Sequence, residues 1–166
     1  MATTAGATLI TRVLATMDPS SPIEGTVRGD HENGTKGVSW TNGSGSGQID
    51  QVYRATHTIG AAATVNFDLL AAGALTDITG ATIDLDELKF LKISVTSGQI
   101  SFLAPAANFL DLFIATGDAL DLSANHGVTL EWGAAGLDVT TNSKFDITDL
   151  AGGSGSVVEV SFGGAK

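Results

Sequence analysis

The feature that most constrains this chain is a succession of short runs alternating apolar and polar with period two, cut apart by glycine-containing turns. In "IDQVYRATHTI", Val52, Arg54, Thr56 and Thr58 alternate with Tyr53, Ala55 and His57. In "TVNFDLL", Val65, Phe67 and Leu69 share one face. Successive strand side chains point to opposite sides, so such runs are read as strands with one buried face. Further runs follow: "QISFLA", "FLDLFIA", "ALDLS", "GVTLEW", "LDVTT", "KFDITDL" and "SVVEVSF". Thr116-Gly117-Asp118, Asn125-His126-Gly127 and Gly152-Gly153-Ser154-Gly155 separate several of them as turns. Many short strands with almost no helical pattern predict an all-β fold, an antiparallel β-sandwich or barrel. The expected form is a jelly-roll-like sandwich with an extended N-terminal arm.

One stretch is ambiguous. "ATIDLDELKFLKISV" carries Leu85, Leu88 and Lys89 at helical spacing, but only briefly. Its β-branched ending and the "TSGQ" turn behind it favour a strand from about Leu88.

The N-terminal part differs from the rest. "AGATLITRVLATM" fits an extended strand or arm, and Pro19 and Pro22 end it. Residues 1–24 are therefore assigned to an arm or strand and residues 25–166 to a single sandwich domain. Two Asn-Gly pairs, Asn33-Gly34 and Asn42-Gly43, are tight-turn signals, with a hairpin expected at the first. "GSGSG" suits either a flexible linker or a surface loop.

Charge and composition exclude several roles. Against 18 Asp and Glu stand 8 Lys and Arg, a net charge of −10. No basic stripe exists to neutralise phosphates, so neither nucleic acid nor an anionic membrane is an expected partner. The chain has no cysteine, which removes disulfides and thiolate chemistry. "MATTAGATLITRVLATM" lacks a basic leader followed by a long apolar core, so synthesis in a cytoplasm is the expectation.

No motif for chemistry stands out. His31, His57 and His126 are far apart in sequence, without zinc-ligand spacing. Asp84 to Glu87 ("DLDE"), with Asp118 and Asp121, offer oxygen ligands for Ca²⁺, but the alternating acids and distal Glu of an EF-hand loop are missing. A solvated acidic face is the simpler reading. No G-x-S-x-G elbow is present and nothing singles out a carboxylate pair, so no catalytic residue and no cofactor are assigned. "RGD", Arg28 to Asp30, is a match short enough to arise by chance. Trp40, Tyr53 and Trp132 are candidate sugar-stacking platforms; core filling is the commoner use of aromatic residues at strand positions.

The run from Trp40 to Ile93 resembles a family of small bacteriophage and prophage structural proteins. The resemblance is carried by Trp40, the turn from Gly43 to Gly47, Asp50 to Tyr53, Asp68-Leu69, Leu75-Thr76-Asp77 and Gly80-Ala81-Thr82. "GDALDLSANHGVTLEW" and "SVVEVSF" resemble the same family more loosely. It implies a virion component, such as a capsid decoration or cement protein, made in a host bacterial cytoplasm and acting as a homo-oligomer. The major capsid protein or other virion subunits would be its partners. A tail- or fibre-associated domain binding host glycans is the alternative. Within this reading Leu9, Ile10, Val13 and Leu14 of the arm (residues 1–22) would anchor it on a partner. Asp68, Asp77 and Gly80 are expected to shape turns, with Leu75 and Ile78 pinning the second turn to the core.

Overall fold

The computed structural model describes the strands Thr11–Leu14 and Val27–His31 and the continuous chain from residue 39 to 166. Side chains are described from Trp40 onward, Asn42 excepted. Leu9, Ile10, Asn33 and Gly34 lie outside the described residues.

In chain order the strands are β1 (Thr11–Leu14), β2 (Val27–His31), β3 (Ser39–Asn42), β4 (Gln48–Ile49), β5 (Gln51–Ile59) and β6 (Thr64–Asp68). There follow β7 (Glu87–Ser97), β8 (Gln99–Leu103), β9 (Ala119–Ser123), β10 (Gly127–Glu131), β11 (Leu137–Asp138), β12 (Lys144–Asp149) and β13 (Ser156–Ala165). A single 3-10 turn, Ala71–Gly73, is the helical element among the described residues. The segment that the periodicity left open is thus strand from Glu87, with no helix before it.

Two antiparallel sheets enclose the main core. One runs β10-β7-β13-β5, with the short β11 also on β7; the other runs β6-β12-β8-β9. The pairing follows one rule. Strands β5, β6, β7 and β8 pair with β13, β12, β10 and β9, so the chain is folded back on itself as one long ribbon. Bending the ribbon adds the β13–β7 and β12–β8 contacts that complete each sheet. Connections β5–β6, β7–β8 and β12–β13 each carry the chain from one sheet to the other.

The inner faces follow from the alternation. Tyr53, Leu91, Ile93, Val95, Val158, Val160 and Phe162 from one sheet meet Phe67, Ile100, Phe102, Leu122, Phe145 and Ile147 from the other. Aromatic rings hold the centre. Phe67 and Phe145 stack at 4.6 Å, Phe102 meets Phe145 edge-on at 5.4 Å, and Tyr53 stacks on Phe162 at 4.8 Å. Burying rings of this size supplies much of the driving force for closing the sheets.

A bulge redirects one strand. Gly163 pairs with Phe90 and Gly164 with Leu88, leaving Lys89 as the extra residue. Leu88 stays in the main core, while Phe90 turns to the other face and packs on Trp40 at 5.7 Å. Gly163 permits this, because a Cβ there would lie 2.5 Å from the Phe90 ring. Trp40, Ile49, Val52 and Phe90 are all buried yet stand outside the main core cluster. Lys89 is fully buried. Its ammonium is paired with Glu87 and donates to the Ala134 carbonyl at 2.6 Å. The same carbonyl accepts from Gly47 N–H at 2.9 Å, which joins the "GSGSG" segment to the loop before β11 as a bonded surface turn.

The third sheet runs β1-β2-β3-β4. Val13 and Leu14 lie on β1, opposite Gly29 and Arg28 of β2. β2 pairs antiparallel with β3, and β3 lies parallel to β4.

One expected strand is absent. "FLDLFIA" forms turns, and only Phe109 makes an isolated bridge, to Lys144. Asn108 in the left-handed region, φ 56°, bends the chain into the segment. Two N–H groups that a strand would offer to a ladder, those of Ile114 and Ala115, instead donate to the Asp118 carboxylate at 2.9 and 2.8 Å. Local side-chain acceptors won over pairing here.

Candidate functional site

The turn-shaping residues are placed by their own hydrogen bonds. Asp77 Oδ1 accepts from Thr79 N–H at 2.8 Å, Thr79 Oγ1 at 2.6 Å and Ala81 N–H at 2.9 Å. Gly80, at φ 89°, closes the turn in a conformation that L side chains rarely adopt. Leu75 packs against the core, but Ile78 is 37% exposed and does not pin the turn. The turn is held by the Asp77 carboxylate, so an apolar anchor on that side is not needed. Asp68 accepts from Leu70 N–H at 3.2 Å and Ser143 Oγ at 2.7 Å and pairs with Lys144 at 3.4 Å.

Of the acids considered for Ca²⁺, Asp84, Asp86, Glu87 and Asp118 have partners within the chain. The Lys166 ammonium sits 2.8 Å from Asp84 and 3.2 Å from Asp86, and Lys166 N–H reaches Asp50 Oδ1 at 3.2 Å. The Lys166 hydrogen bond, then Ala71 N–H, lowers the Asp84 pKa, while Asp84 and Asp86 raise that of Lys166. Burial raises the Asp50 pKa, opposed by the Lys166 N–H. Asp118 is engaged by the two N–H groups already described, away from Asp84 to Glu87. No group of three metal-binding side chains occurs among the described residues.

A second polar cluster braces the strand connections at one end. Asp149, 3% exposed, accepts from Ser156 Oγ at 2.5 Å and from Ala62 N–H at 3.1 Å. Ser156 Oγ also accepts from Gln99 N–H at 3.0 Å. The β5–β6, β7–β8 and β12–β13 connections are therefore joined through one carboxylate and one hydroxyl. The Ser156 hydrogen bond, first among several, holds the Asp149 pKa below the usual carboxylate range. Through these bonds the pair acts as a structural brace.

His57 faces inward from β5. Its Nε2 lies 2.9 Å from Tyr53 Oη, and its ring meets Phe67 edge-on at 5.1 Å. Burial lowers its pKa. An imidazole that resists protonation when folded but not when unfolded makes the unfolded state bind more protons in acid. Stability should therefore be complete above the unfolded value of about 6.5 and decline as pH falls through and below it. We expect the thermal midpoint to fall between pH 7.5 and about 5.5, and His57→Gln to flatten that slope. An unchanged slope in the variant would assign it to other groups. His126 is exposed, with Nδ1 3.1 Å from the Ala124 carbonyl.

The aromatic platforms are largely internal. Trp40 is 2% and Tyr53 7% exposed, and Trp132 is partly buried against the core.

What the molecule does present is an apolar corner. Ile114 is 95% exposed, the most exposed large apolar side chain among the described residues, and Leu120 on β9 is 43% exposed. Behind them, Phe113 packs on Phe102 at 5.1 Å and meets Phe109 at 6.4 Å. Leu120 is opposite Phe102 in the β8–β9 register. The segment carrying Ile114 is tied down by Asp118 and by an Asn142–Asp111 hydrogen bond of 2.6 Å. The run "FLDLFIA", expected as a strand, carries Phe113 and Ile114 of this corner.

No helix among the described residues is long and apolar enough to cross a membrane. No protein-family model matches the chain, and no curated protein matches it.

Proposed function

We propose that this protein is a structural component of a bacteriophage virion, a capsid decoration or cement protein that works as an oligomer. The observation that carries the reading is the ribbon pairing of eight strands, β5-β13-β7-β10 over β6-β12-β8-β9. We infer from it a jelly roll, the architecture that viral capsid domains share with lectins. Fold alone does not assign function. The resemblance of residues 40–93 to phage structural proteins supports the virion side, and the burial of Trp40 and Tyr53 takes away two of the platforms a lectin would use. The exposed corner at Ile114 supplies an apolar contact, and contacts repeated over a lattice gain avidity without a deep site.

The deciding experiment is quantitative mass spectrometry of purified particles, comparing this chain with the major shell protein. Copy numbers of the same order are expected for a decoration protein. A handful of copies per particle would move it to a vertex or tail, and its absence from particles would overturn the virion assignment.

A further inference from the structure

We propose that this chain cuts itself once, at the peptide bond between Gly155 and Ser156, with the Ser156 hydroxyl as nucleophile and the Asp149 carboxylate as its base. This activity is separate from the virion reading and does not rest on it.

Three features of the β12–β13 connection carry the inference. The first is the hydroxyl itself. Ser156 is 1% exposed, and its Oγ donates to Asp149 Oδ1 at 2.5 Å while accepting from Gln99 N–H at 3.0 Å. The carboxylate is placed to take the proton, and the Gln99 N–H to stabilise the negative charge that then develops on Oγ. The second is the space around that oxygen. A Cβ at Gly98 would lie 2.2 Å from Ser156 Oγ, so the hydroxyl sits where any side chain at position 98 would begin. The third is the acyl side of the bond. Gly155 takes φ 71°, and a Cβ there would lie 2.3 Å from the Ile59 carbonyl oxygen, so this position requires glycine. The carbonyl carbon under attack therefore carries no side chain to shield it, and residues 151–154 before it are exposed to water.

Nucleophile and carbonyl are neighbours in one chain, which makes the attack intramolecular and raises its effective concentration. Ser156 Oγ gives its proton to Asp149 and bonds to the Gly155 carbonyl carbon, closing a ring of Oγ, Cβ, Cα, N and that carbon. The ring opens by breaking the C–N bond, and the proton passes from Asp149 to the Ser156 nitrogen. Gly155 is then held as an ester on Ser156 Oγ. One water hydrolyses the ester, leaving a carboxylate on Gly155, a free amine on Ser156 and the hydroxyl restored. Nothing is oxidised or reduced. Asp149 is a weak base, its pKa lowered first by the Ser156 hydrogen bond, so the reaction is slow and occurs once per chain. The cut leaves the fold standing. β13 is paired on both sides, with β5 and β7, and Val158, Val160 and Phe162 anchor it in the core.

The test is the mass of the purified full-length protein, read under denaturing conditions during incubation at neutral pH. We expect first-order appearance of residues 1–155 and 156–166, at a rate unchanged by tenfold dilution, which a contaminating protease would not give. Ser156→Ala should stay whole. Asp149→Asn should cut more slowly by about 10²-fold, the contribution of a positioned base. Either variant also loses part of the brace, so a second measurement uses the parent protein alone. Hydroxylamine should divert the ester to a Gly155 hydroxamate, which hydrolysis of the peptide bond by water cannot form. A parent chain that keeps its full mass, ends other than Gly155 and Ser156, equal cutting of folded Ser156→Ala, or cutting that yields no hydroxamate overturns the proposal.

Discussion

Phe145→Ala is expected to destabilise the protein by about 3–5 kcal/mol, the range for truncating a large aromatic side chain in a packed core. Phe145 is fully buried on β12, stacked face to face with Phe67 of β6 and edge-on to Phe102 of β8. Phe67 in turn meets Tyr53 of the opposite sheet edge-on at 6.4 Å. Removing the Phe145 ring opens a void between three strands that cannot close without moving a sheet. Domains are stable by only about 5–15 kcal/mol, so one such loss removes a large fraction of the total. Urea unfolding should show the midpoint falling sharply with the slope unchanged. A loss below about 1 kcal/mol would mean that the two sheets do not share this aromatic centre.

The second large effect belongs to Gly164→Val. Gly164 sits in β13 between Gln51 of β5 and Leu88 of β7, next to the Lys89 bulge. A Cβ there would lie 2.0 Å from the Glu87 carbonyl oxygen and 3.0 Å from Leu85 Cδ1. The first clash is with backbone, which cannot rotate aside as a side chain would. Overpacking costs of about 1–3 kcal/mol are typical, and a backbone clash at a central strand belongs at or above the top of that range. Gly153→Ala serves as the control, because a Cβ at Gly153 meets nothing within 4 Å. We expect the control to unfold within about 0.5 kcal/mol of the parent protein. Near-equal stability of the Gly164→Val and parent proteins would show that β13 and β7 do not pair as closely as described.

Much of the fold was legible because a strand with one buried face writes its geometry into every second residue. Tyr53, Ala55 and His57 do face inward, and Val65 and Phe67 share a face as their spacing indicated. The strand at Leu88 was recoverable from β-branched residues. The turn at Asp77 was recoverable because Asp, Thr and Gly act on their own neighbours within four residues. Where outcomes depended on distant partners, local pattern misled. A local acceptor misled as well: "FLDLFIA" has the composition of a strand, yet the Ile114 and Ala115 N–H groups are taken by Asp118, three and four residues on. Ile78 looked like a core anchor and is exposed. Lys89 reads as a surface lysine, and nothing near it in sequence reveals the Ala134 carbonyl, 45 residues on, that receives its ammonium.

The sequence by itself determined the strand content, the turns, the acidic character and the inward residues of most strands, because each depends on side chains within a few positions of one another. Tertiary structure alone decided which strands are neighbours, where the β7 bulge sends Phe90 to a second cluster with Trp40, and that Lys89 is buried. It also decided which apolar residues stay outside. Ile114 and Leu88 are alike in hydropathy, but Leu88 has Gly164 and a second sheet opposite it, and Ile114 has only a carboxylate-bound turn beneath it. Burial is a property of what arrives from elsewhere in the chain, and that information lies in long-range pairing and not in local sequence.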